Sequence, residues 1–562
     1  MKKITILLLI FILISGISCK EDFLNRYPYD KKVVGNFYQT PTDAFEALVA
    51  VYDGLQYTPN NPDFTHVIQM TEISSDNCFG GAGTGDDLNL QVFDNFIQGL
   101  VELNGVQWEK SYRGIYKANV FLQEVENIDW GSQVSLKNRY IGEARFLRAY
   151  QYFDLVRIFG NIPLVDKVLV ENFDIPQADP ADVYKFIAED LLFAIENCSD
   201  SPYESIPLAE YGRVTKWAAE ALLARAFLFY TGYYNKPDLA GVVTKDQVRG
   251  YIRDIIDNGH FGLVENFEHL WHYSRDNFVG EDNIETVFAI KYTYKALADP
   301  ETYDGARWQI MVGLRVRPVP PYGTGWGAAT VNQKLWDEWN DDDTRKVGTI
   351  VDLRNHFWIT SNGDTVKRAM DFDGDGVYTD SIYWQNDSTT TREYTGYNWR
   401  KFCPLTLSND SSINLTESMG ANFSLDNFFD WAVIRYSDVL LMAAELYLDS
   451  DIGFAQSCFD QVRYRAFNDH NHYSTLTNDD AGKDLILEER RWEFALEGHR
   501  YWDLLRHDGL AGNLATAKQE IDNNEPEPFD VEFRTETEGL YRIPQRQITL
   551  SEGLLKQNPG WD

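Results

Sequence analysis

The stretch EARFLRAYQYFDLV (143–156) shares its pattern with a second stretch, EALLARAFLFYTGY (220–233). Each reads Glu-Ala-x-x-x-Arg-Ala and continues into aromatic residues. In the first stretch, large and small apolar residues recur at helical spacing: Phe146, Ala149, Tyr150, Phe153 and Val156. Alanines beside large aromatic side chains let helices pack closely. The two stretches therefore predict paired amphipathic helices, typical of a tetratricopeptide-like stack.

Helical spacing continues on both sides of this pair, so the sequence predicts a mainly α fold. Thr40, Pro41 and Asp43 favour a helix start, with a threonine cap and an acid in the first turn. Further helices are predicted near 105–127, 135–159, 180–197, 214–233, 436–449, 452–466 and 483–506. The 483–506 segment is predicted to be a structural helix with charged pairs along one face.

The middle of the chain lacks this spacing. Glycine, aspartate, asparagine and aromatic residues become frequent there, which is typical of loops. No linker separates the regions, so we predict one domain over 19–562. It comprises an N-terminal helical scaffold (about 35–260), a loop-rich segment (about 261–433) and a C-terminal helical part (about 434–562).

The N-terminus has the pattern of a secretion signal. Lys2 and Lys3 precede an apolar run over 4–14, which is too short for the roughly 20 residues of a membrane span. Small residues then lead into Cys19, which resembles a lipobox, so 1–18 is predicted to be a lipoprotein signal peptide. The acidic residues after Cys19 resemble a sorting signal for the outer face of the outer membrane. The alternative is a secreted protein with an incidental cysteine.

Composition limits the partners and the stabilising chemistry. The formal net charge is −35, from 51 basic and 86 acidic residues, so nucleic acid and anionic membranes are repelled. A neutral or cationic ligand fits this surface better. The cysteines after Cys19 are too far apart for a zinc array, although one long-range disulfide stays possible; they are Cys78, Cys198, Cys403 and Cys458.

One segment resembles the start of a calcium-binding loop. Its candidate ligands are Asp371, Asp373, Asp375, Val377 and Thr379, with glycine at the sixth position. The twelfth position is isoleucine rather than the usual glutamate. A structural Ca²⁺ and a metal-free turn are therefore both open, and no cofactor is required.

Several stretches together resemble the SusD/RagB family of outer-membrane nutrient-binding lipoproteins. They are CKEDFLNRYP (19–28), GEARFLRAYQYFDLVRIFGNIPLV (142–165), GRVTKWAAEALLARAFLFY (212–230), IRYSDVLLMAAELYL (434–448), EERRWEFALEGHRYWDLLR (488–506), YRIPQRQI (541–548) and QNPGW (557–561). The resemblance implies a SusD-like helical domain with tetratricopeptide-like units and a loop-rich face that binds glycan. It also implies a surface-exposed, lipid-anchored protein without enzyme activity, acting as lid of a TonB-dependent SusC-like transporter.

The resemblance places ligand contacts by region rather than by motif. It implies glycan-binding residues in the loop after the first long helix and in the central segment: Asp76, Asn77, Phe79, Trp308, Tyr322 and Trp326. A flat aromatic ring can cover the C–H face of a sugar, and carboxylates and amides can meet its hydroxyls. Trp326 stands between two glycines and suits this role if exposed; otherwise it packs the loop onto the scaffold. A lid for peptides or another nutrient, and a glycoside hydrolase, stay open as alternatives.

We expect the native protein to carry fatty acyl groups on Cys19, because the apolar run ends there at small residues. Mass spectrometry of the N-terminal peptide from natively produced protein measures this. A native protein that lacks acyl groups and stays in the cytosol would contradict the prediction.

Overall fold

The computed structural model describes most of the chain after residue 36. The described residues are 37–56, 65–81, 88–97, 102–171, 173–271, 273, 280–293, 305–314, 321–352, 357–359, 365–367, 395, 397–408, 413–422, 424–507, 512, 514–517 and 531–561. Cys19 and the candidate calcium loop over 371–379 lie outside these residues, so both stay predictions. The division of the chain into three parts also stays a prediction.

The N-terminal helices follow the predicted segments closely. They are α1 (Pro41–Asp53), α2 (Val67–Ile73), α3 (Leu88–Asn95), α4 (Leu103–Glu124), α5 (Val134–Phe159), α6 (Pro180–Asn197), α7 (Lys216–Tyr233) and α8 (Lys245–Asn258). At the start of α1, the Thr40 side chain accepts from the Asp43 N–H, and the Asp43 carboxylate accepts from the Thr40 N–H. This capping box confirms the predicted helix start. The spacing argument did not find α2, α3 or α8.

Helix α5 lies at the centre of the scaffold. It packs against α4 and α6, and nearly every residue from Tyr140 to Phe159 is buried. The predicted apolar face, including Phe146 and Phe153, is therefore only part of its buried surface. Arg148 and Asp154 are also buried, and each makes an ion pair within this layer. No described helix has both the length and the apolar character that crossing a membrane requires.

The remaining helices divide between the middle segment and the C-terminal part. Short helices in the middle are α9 (Gln309–Val312), α10 (Gln333–Glu338), α11 (Thr344–Thr349) and α12 (Leu415–Ser418). The C-terminal helices are α13 (Tyr436–Tyr447), α14 (Ile452–Phe467), α15 (Asp480–Phe494), α16 (Arg500–His507) and α17 (Gln545–Leu550). Helices α13 and α14 pack as a pair, which confirms the mainly α fold with paired helices.

The single helix predicted over 483–506 is wrong. The structure has two helices, α15 and α16, because Leu496 and Gly498 both adopt positive φ, at 67° and 81°. The Gly498 N–H donates to Glu72 Oε1 at 2.7 Å, so the interruption lets the backbone bind α2. Glu497 and Arg500 have the spacing of a charged pair on one helix face, but in the structure Arg500 binds Asp76 at 2.8 Å.

The strands are short and form two-stranded antiparallel pairs. They are β1 (Cys78–Gly80), β2 (Ile162–Pro163), β3 (Gln177–Ala178), β4 (Thr286–Ile290), β5 (Ala329–Val331), β6 (Ile350–Asp352), β7 (Phe357–Ile359), β8 (Thr365–Lys367), β9 (Tyr397–Trp399) and β10 (Trp431–Arg435). The pairs are β1 with β5, β4 with β10, β2 with β3, β6 with β9, and β7 with β8. The four cysteines of the described residues are buried free thiols. The structure therefore forms none of the disulfides left open by the sequence within that part of the chain.

A buried ion-pair network joins the loop-rich segment to the C-terminal helices. Arg435, just before α13, contacts Glu493 and Glu497 at 2.7 Å. Arg345 of α11 contacts Glu489 at 2.7 Å and Glu493 at 3.1 Å, and all three side chains are fully buried.

The same network reaches further elements of the fold. Lys401 contacts Glu497 at 2.7 Å, and Arg465 of α14 contacts Glu285 at 3.0 Å. Buried charges are tolerated only when they are paired and hydrogen-bonded. The network therefore fixes the loop-rich segment in one position over α15.

A second buried cluster centres on Asp438 of α13. Arg225 of α7 contacts its carboxylate at 2.7 Å, and Arg490 of α15 contacts it at 2.6 Å. Burial alone raises the pKa of Asp438, but the two guanidinium groups more than reverse this effect, so the pKa lies well below its usual range. This carboxylate thus joins three helices only while it is ionised.

We expect Gly498→Ala to lower the free energy of unfolding by about 1–3 kcal/mol, because an L side chain at positive φ is strained. A Cβ there would also lie 3.2 Å from Ile68 Cα. Chemical denaturation measures the change. Gly250→Ala is the matched control: Gly250 lies within α8 with open space around it, so alanine is expected to stabilise the protein. Equal effects of the two substitutions would contradict the prediction.

We expect the free energy of unfolding to fall as the pH decreases from about 5 to about 2, because Asp438 has a lowered pKa in the folded state. Its stabilising contribution is present above the unfolded pKa of about 3.9 and is lost on protonation. Denaturation across this pH range measures the effect.

Asp438→Asn is expected to cost about 3–5 kcal/mol at neutral pH and to reduce the pH dependence, because it removes the buried carboxylate that pairs with both Arg225 and Arg490. The matched control is Asp480→Asn, since Asp480 is exposed at the start of α15. An unchanged pH dependence in Asp438→Asn would contradict the assignment.

Candidate ligand-binding surface

The loop that carries Trp326 is fixed by its backbone. The Trp326 N–H donates to the Ile310 carbonyl at 2.7 Å, the Gly327 N–H to the Gly313 carbonyl at 2.9 Å, and the Ala328 N–H to the Met311 carbonyl at 2.7 Å. Consecutive residues of the loop are therefore bonded to α9 and the residue after it. The position of the loop depends little on the Trp326 side chain.

Glycines on each side of Trp326 permit this arrangement. A Cβ on Gly325 would lie 2.3 Å from Gly313 Cα, so the two backbone segments approach more closely than any side chain allows. Gly327 has φ of 60°, which favours glycine. The sequence pattern Gly-Trp-Gly thus reflects close packing of the backbone on both sides of a partly exposed indole.

Trp326 is the exposed tryptophan of the described part of the chain, with 40% of its surface accessible. The other tryptophans with described side chains are buried or half-buried. Leu407 and Ile413 are also exposed, at 39% and 50%, in a neighbouring loop that Asn414 joins to the Thr324 N–H. Trp326 therefore presents part of its surface to solvent; sugar contact by this residue and the alternative, in which it packs the loop onto the scaffold, both stay predictions. The sequence analysis did not single out Leu407 or Ile413, because isolated apolar residues in a loop carry no distinct signal.

The structure brings the two predicted segments together but buries most of their side chains. Strand β1 pairs with β5, so Phe79 lies opposite Thr330, a few residues after Trp326. Phe79 packs with Val531, and only 1% of it is exposed. Asn77 is fully buried and donates to Glu72 Oε2 at 2.8 Å.

Asp76 is buried in an ion pair. Arg500 of α16 contacts its two carboxylate oxygens at 2.8 Å each. Burial raises the pKa of Asp76, but Arg491 and Arg500 outweigh burial and hold this pKa well below its usual range. The carboxylate is therefore ionised and fully engaged within the protein.

The two other predicted aromatic residues are also buried. Trp308 stacks on His66 with ring centroids 4.6 Å apart, and Tyr322 is 9% exposed. Of the six predicted residues, Trp326 alone is exposed, and ligand contact at all six stays a prediction. In this conformation Asp76, Asn77, Phe79, Trp308 and Tyr322 support the surface from below.

One described group of carboxylates has the spacing of a metal site. Oxygens of Glu281, Asp282 and Asp430 lie within 4.8 Å of one another. The Lys291 ammonium, however, contacts Asp282 at 2.7 Å and also pairs with Asp430. Burial raises the pKa of Asp430 to about 6, although Lys291 opposes this shift. A lysine therefore already supplies positive charge to this group.

Comparison with known proteins identifies the family. A family model described as the SusD family matches residues 270–561, and a second, described as starch-binding associating with outer membrane, matches residues 45–228. A SusD-like protein from Bacteroides ovatus is 26% identical over 506 residues, covering 87% of this chain and 79% of the relative. The starch-binding protein SusD from Bacteroides thetaiotaomicron is 23% identical and covers 89% of each chain.

Solved structures share the fold. A laminarin-binding SusD-like protein aligns with a TM-score of 0.70 and 25% identity, covering 93% of this chain and 100% of the other. Surface glycan-binding protein A from Bacteroides thetaiotaomicron, in complex with laminarihexaose, aligns with a TM-score of 0.69 and 22% identity, covering 92% and 100%. With the family model that matches more than half of the sequence, these findings show that the chain belongs to the SusD family.

Proposed function

We propose that this protein is a cell-surface lipoprotein that binds oligosaccharides without cleaving them and passes them to a TonB-dependent SusC-like transporter. The observation that supports the proposal most directly is the exposed indole of Trp326 on a loop that backbone hydrogen bonds hold in place. A rigid platform loses little conformational entropy when a ligand binds.

The chemistry of the platform suits a sugar ring. An indole offers a large apolar face with few rotatable bonds, and a pyranose has an apolar C–H face of similar width. Leu407 and Ile413 add exposed apolar surface in the neighbouring loop. The strongly negative net charge disfavours anionic ligands and is compatible with neutral glycans.

The names of related proteins narrow the glycans to test first. One relative is a starch-binding protein, one structural neighbour binds laminarin, and another was solved with laminarihexaose. Laminarin and starch are both glucose polymers. We therefore propose neutral glucans as the first class of ligand.

Anchoring and delivery extend the proposal. A lipid on Cys19 would hold the protein at the outer membrane. The second matching family model is described as starch-binding and associating with the outer membrane. Acyl chains contribute about 0.8 kcal/mol per buried CH₂, so multiple chains anchor a protein firmly. In this arrangement the protein acts as the lid of the transporter.

We expect Trp326→Ala to weaken glucan binding at least about tenfold, a loss of about 1.4 kcal/mol, because the stacking surface is removed. Isothermal titration calorimetry with laminarin and starch oligosaccharides measures the affinity. Trp326→Phe should retain part of it. Tyr116→Ala is the control, since Tyr116 is an exposed aromatic residue on α4 and its loss should leave affinity unchanged.

The same samples decide between the alternatives. Unchanged affinity in Trp326→Ala would contradict the assignment of the platform. Release of shorter sugars from the glucans would indicate a glycoside hydrolase instead. Binding of peptides with no binding across a wide glycan panel would indicate a lid for another nutrient.

A further inference from the structure

A large cleft opens on another part of the molecule. It has a volume of about 1470 Å³ and lies between the 261–268 segment, the residues around the start of α11, and helix α14. All residues that line it belong to the described part of the chain, and Trp326 is not among them. The cleft is thus separate from the platform described above.

Aromatic rings form one side of the cleft. Tyr464 of α14 is 42% exposed and lines the cleft together with Tyr473. The His470 ring lies between them, with centroids 5.0 Å from Tyr464 and 4.9 Å from Tyr473. These contacts restrain the Tyr464 ring, which gives the cleft an apolar face of the kind that covers a sugar ring.

Negative charge dominates the remaining lining. Among the described residues, Glu265 and Asp460 line the cleft and form no ion pair with a basic side chain. Asp460 accepts a hydrogen bond only from the neutral Gln456 amide, at 2.7 Å. Arg465 also lines the cleft, but its guanidinium binds the buried Glu285 and Glu493. The positive charge at the base of the cleft is therefore neutralised inside the protein.

Neutral polar groups complete the lining. Gln461 and Asn468 are exposed along the cleft and carry both hydrogen-bond donors and acceptors. Asn468 ends α14 with φ of 54°, so its position is set by the end of the helix. Amide groups of this kind meet hydroxyl groups with directed hydrogen bonds.

We infer that this cleft is a second binding site, for an oligosaccharide that carries protonated amino groups. The Tyr464 ring covers the face of one sugar residue, and Gln461 and Asn468 bind hydroxyls. The carboxylates of Glu265 and Asp460 attract the ammonium groups.

Other ligands fit the cleft less well. The carboxylates of the cleft do not form a group with metal-ligand spacing; within the described ranges that spacing occurs only at Glu281, Asp282 and Asp430. Nucleic acid would be repelled by the unpaired carboxylates. A basic peptide shares the positive charge, and it serves as a competing ligand in the test.

The test measures binding of glucosamine oligosaccharides to the intact protein by calorimetry, under conditions in which their amines are protonated. The neutral N-acetylglucosamine oligosaccharides and an oligolysine serve as comparison ligands. The variants are Tyr464→Ala, which removes the ring, and the double substitution Glu265→Gln with Asp460→Asn, which keeps shape but removes charge. Thermal melting confirms that each variant is folded.

We expect the glucosamine oligosaccharide to bind more tightly than its neutral counterpart, and to lose about tenfold or more in affinity in each variant. Added salt should weaken this binding, while Trp326→Ala should leave it unchanged. The inference is overturned if the glucosamine ligand does not bind, if the variants bind it normally, or if the neutral ligand binds equally well. Tighter binding of oligolysine would reassign the cleft to a basic peptide. Because glucan binding at Trp326 is measured separately, failure of one site does not imply failure of the other.

Discussion

The fold depends on charges that are buried and paired between distant parts of the chain. Helix α15 presents Glu489 and Glu493 to Arg345 from the loop-rich segment. The described part of that segment has only short helices and short strands, so its own backbone hydrogen bonds give it little independent stability. Removing one partner would leave the opposite charge buried and unpaired, which costs far more than an exposed ion pair contributes. The position of the loop-rich segment is therefore determined largely by the helices on which it packs.

The helical scaffold could be predicted because its signals are local. Amphipathic spacing and the cap at Thr40 each involve residues a few positions apart, and the structure has helices at each predicted segment. The break between α15 and α16 could not be predicted in this way. Helical spacing continues through Leu496 in the sequence. The helix is interrupted there because the Gly498 backbone contacts Glu72, which lies more than 400 residues earlier. A glycine within a helical pattern was the sole local signal, and such glycines are often tolerated.

The candidate site also depends on contacts between residues that are far apart in the sequence. Trp326 could be singled out because glycines flank an aromatic residue in a loop. The ion pair of Asp76 could not be predicted from local sequence. Arg500, which binds the Asp76 carboxylate, lies 424 positions later in the chain. The cleft along α14 was not predicted at all. Its lining comes from three segments that meet only after folding, and none of them has a distinctive motif.

The backbone contact between Gly313 and Gly325 separates support from recognition. Main-chain atoms hold the Trp326 loop, so the side chain at that position is not needed to build the surface on which it stands. Under the proposed function, a different residue at this position would alter ligand recognition while the backbone hydrogen bonds that hold the loop remain.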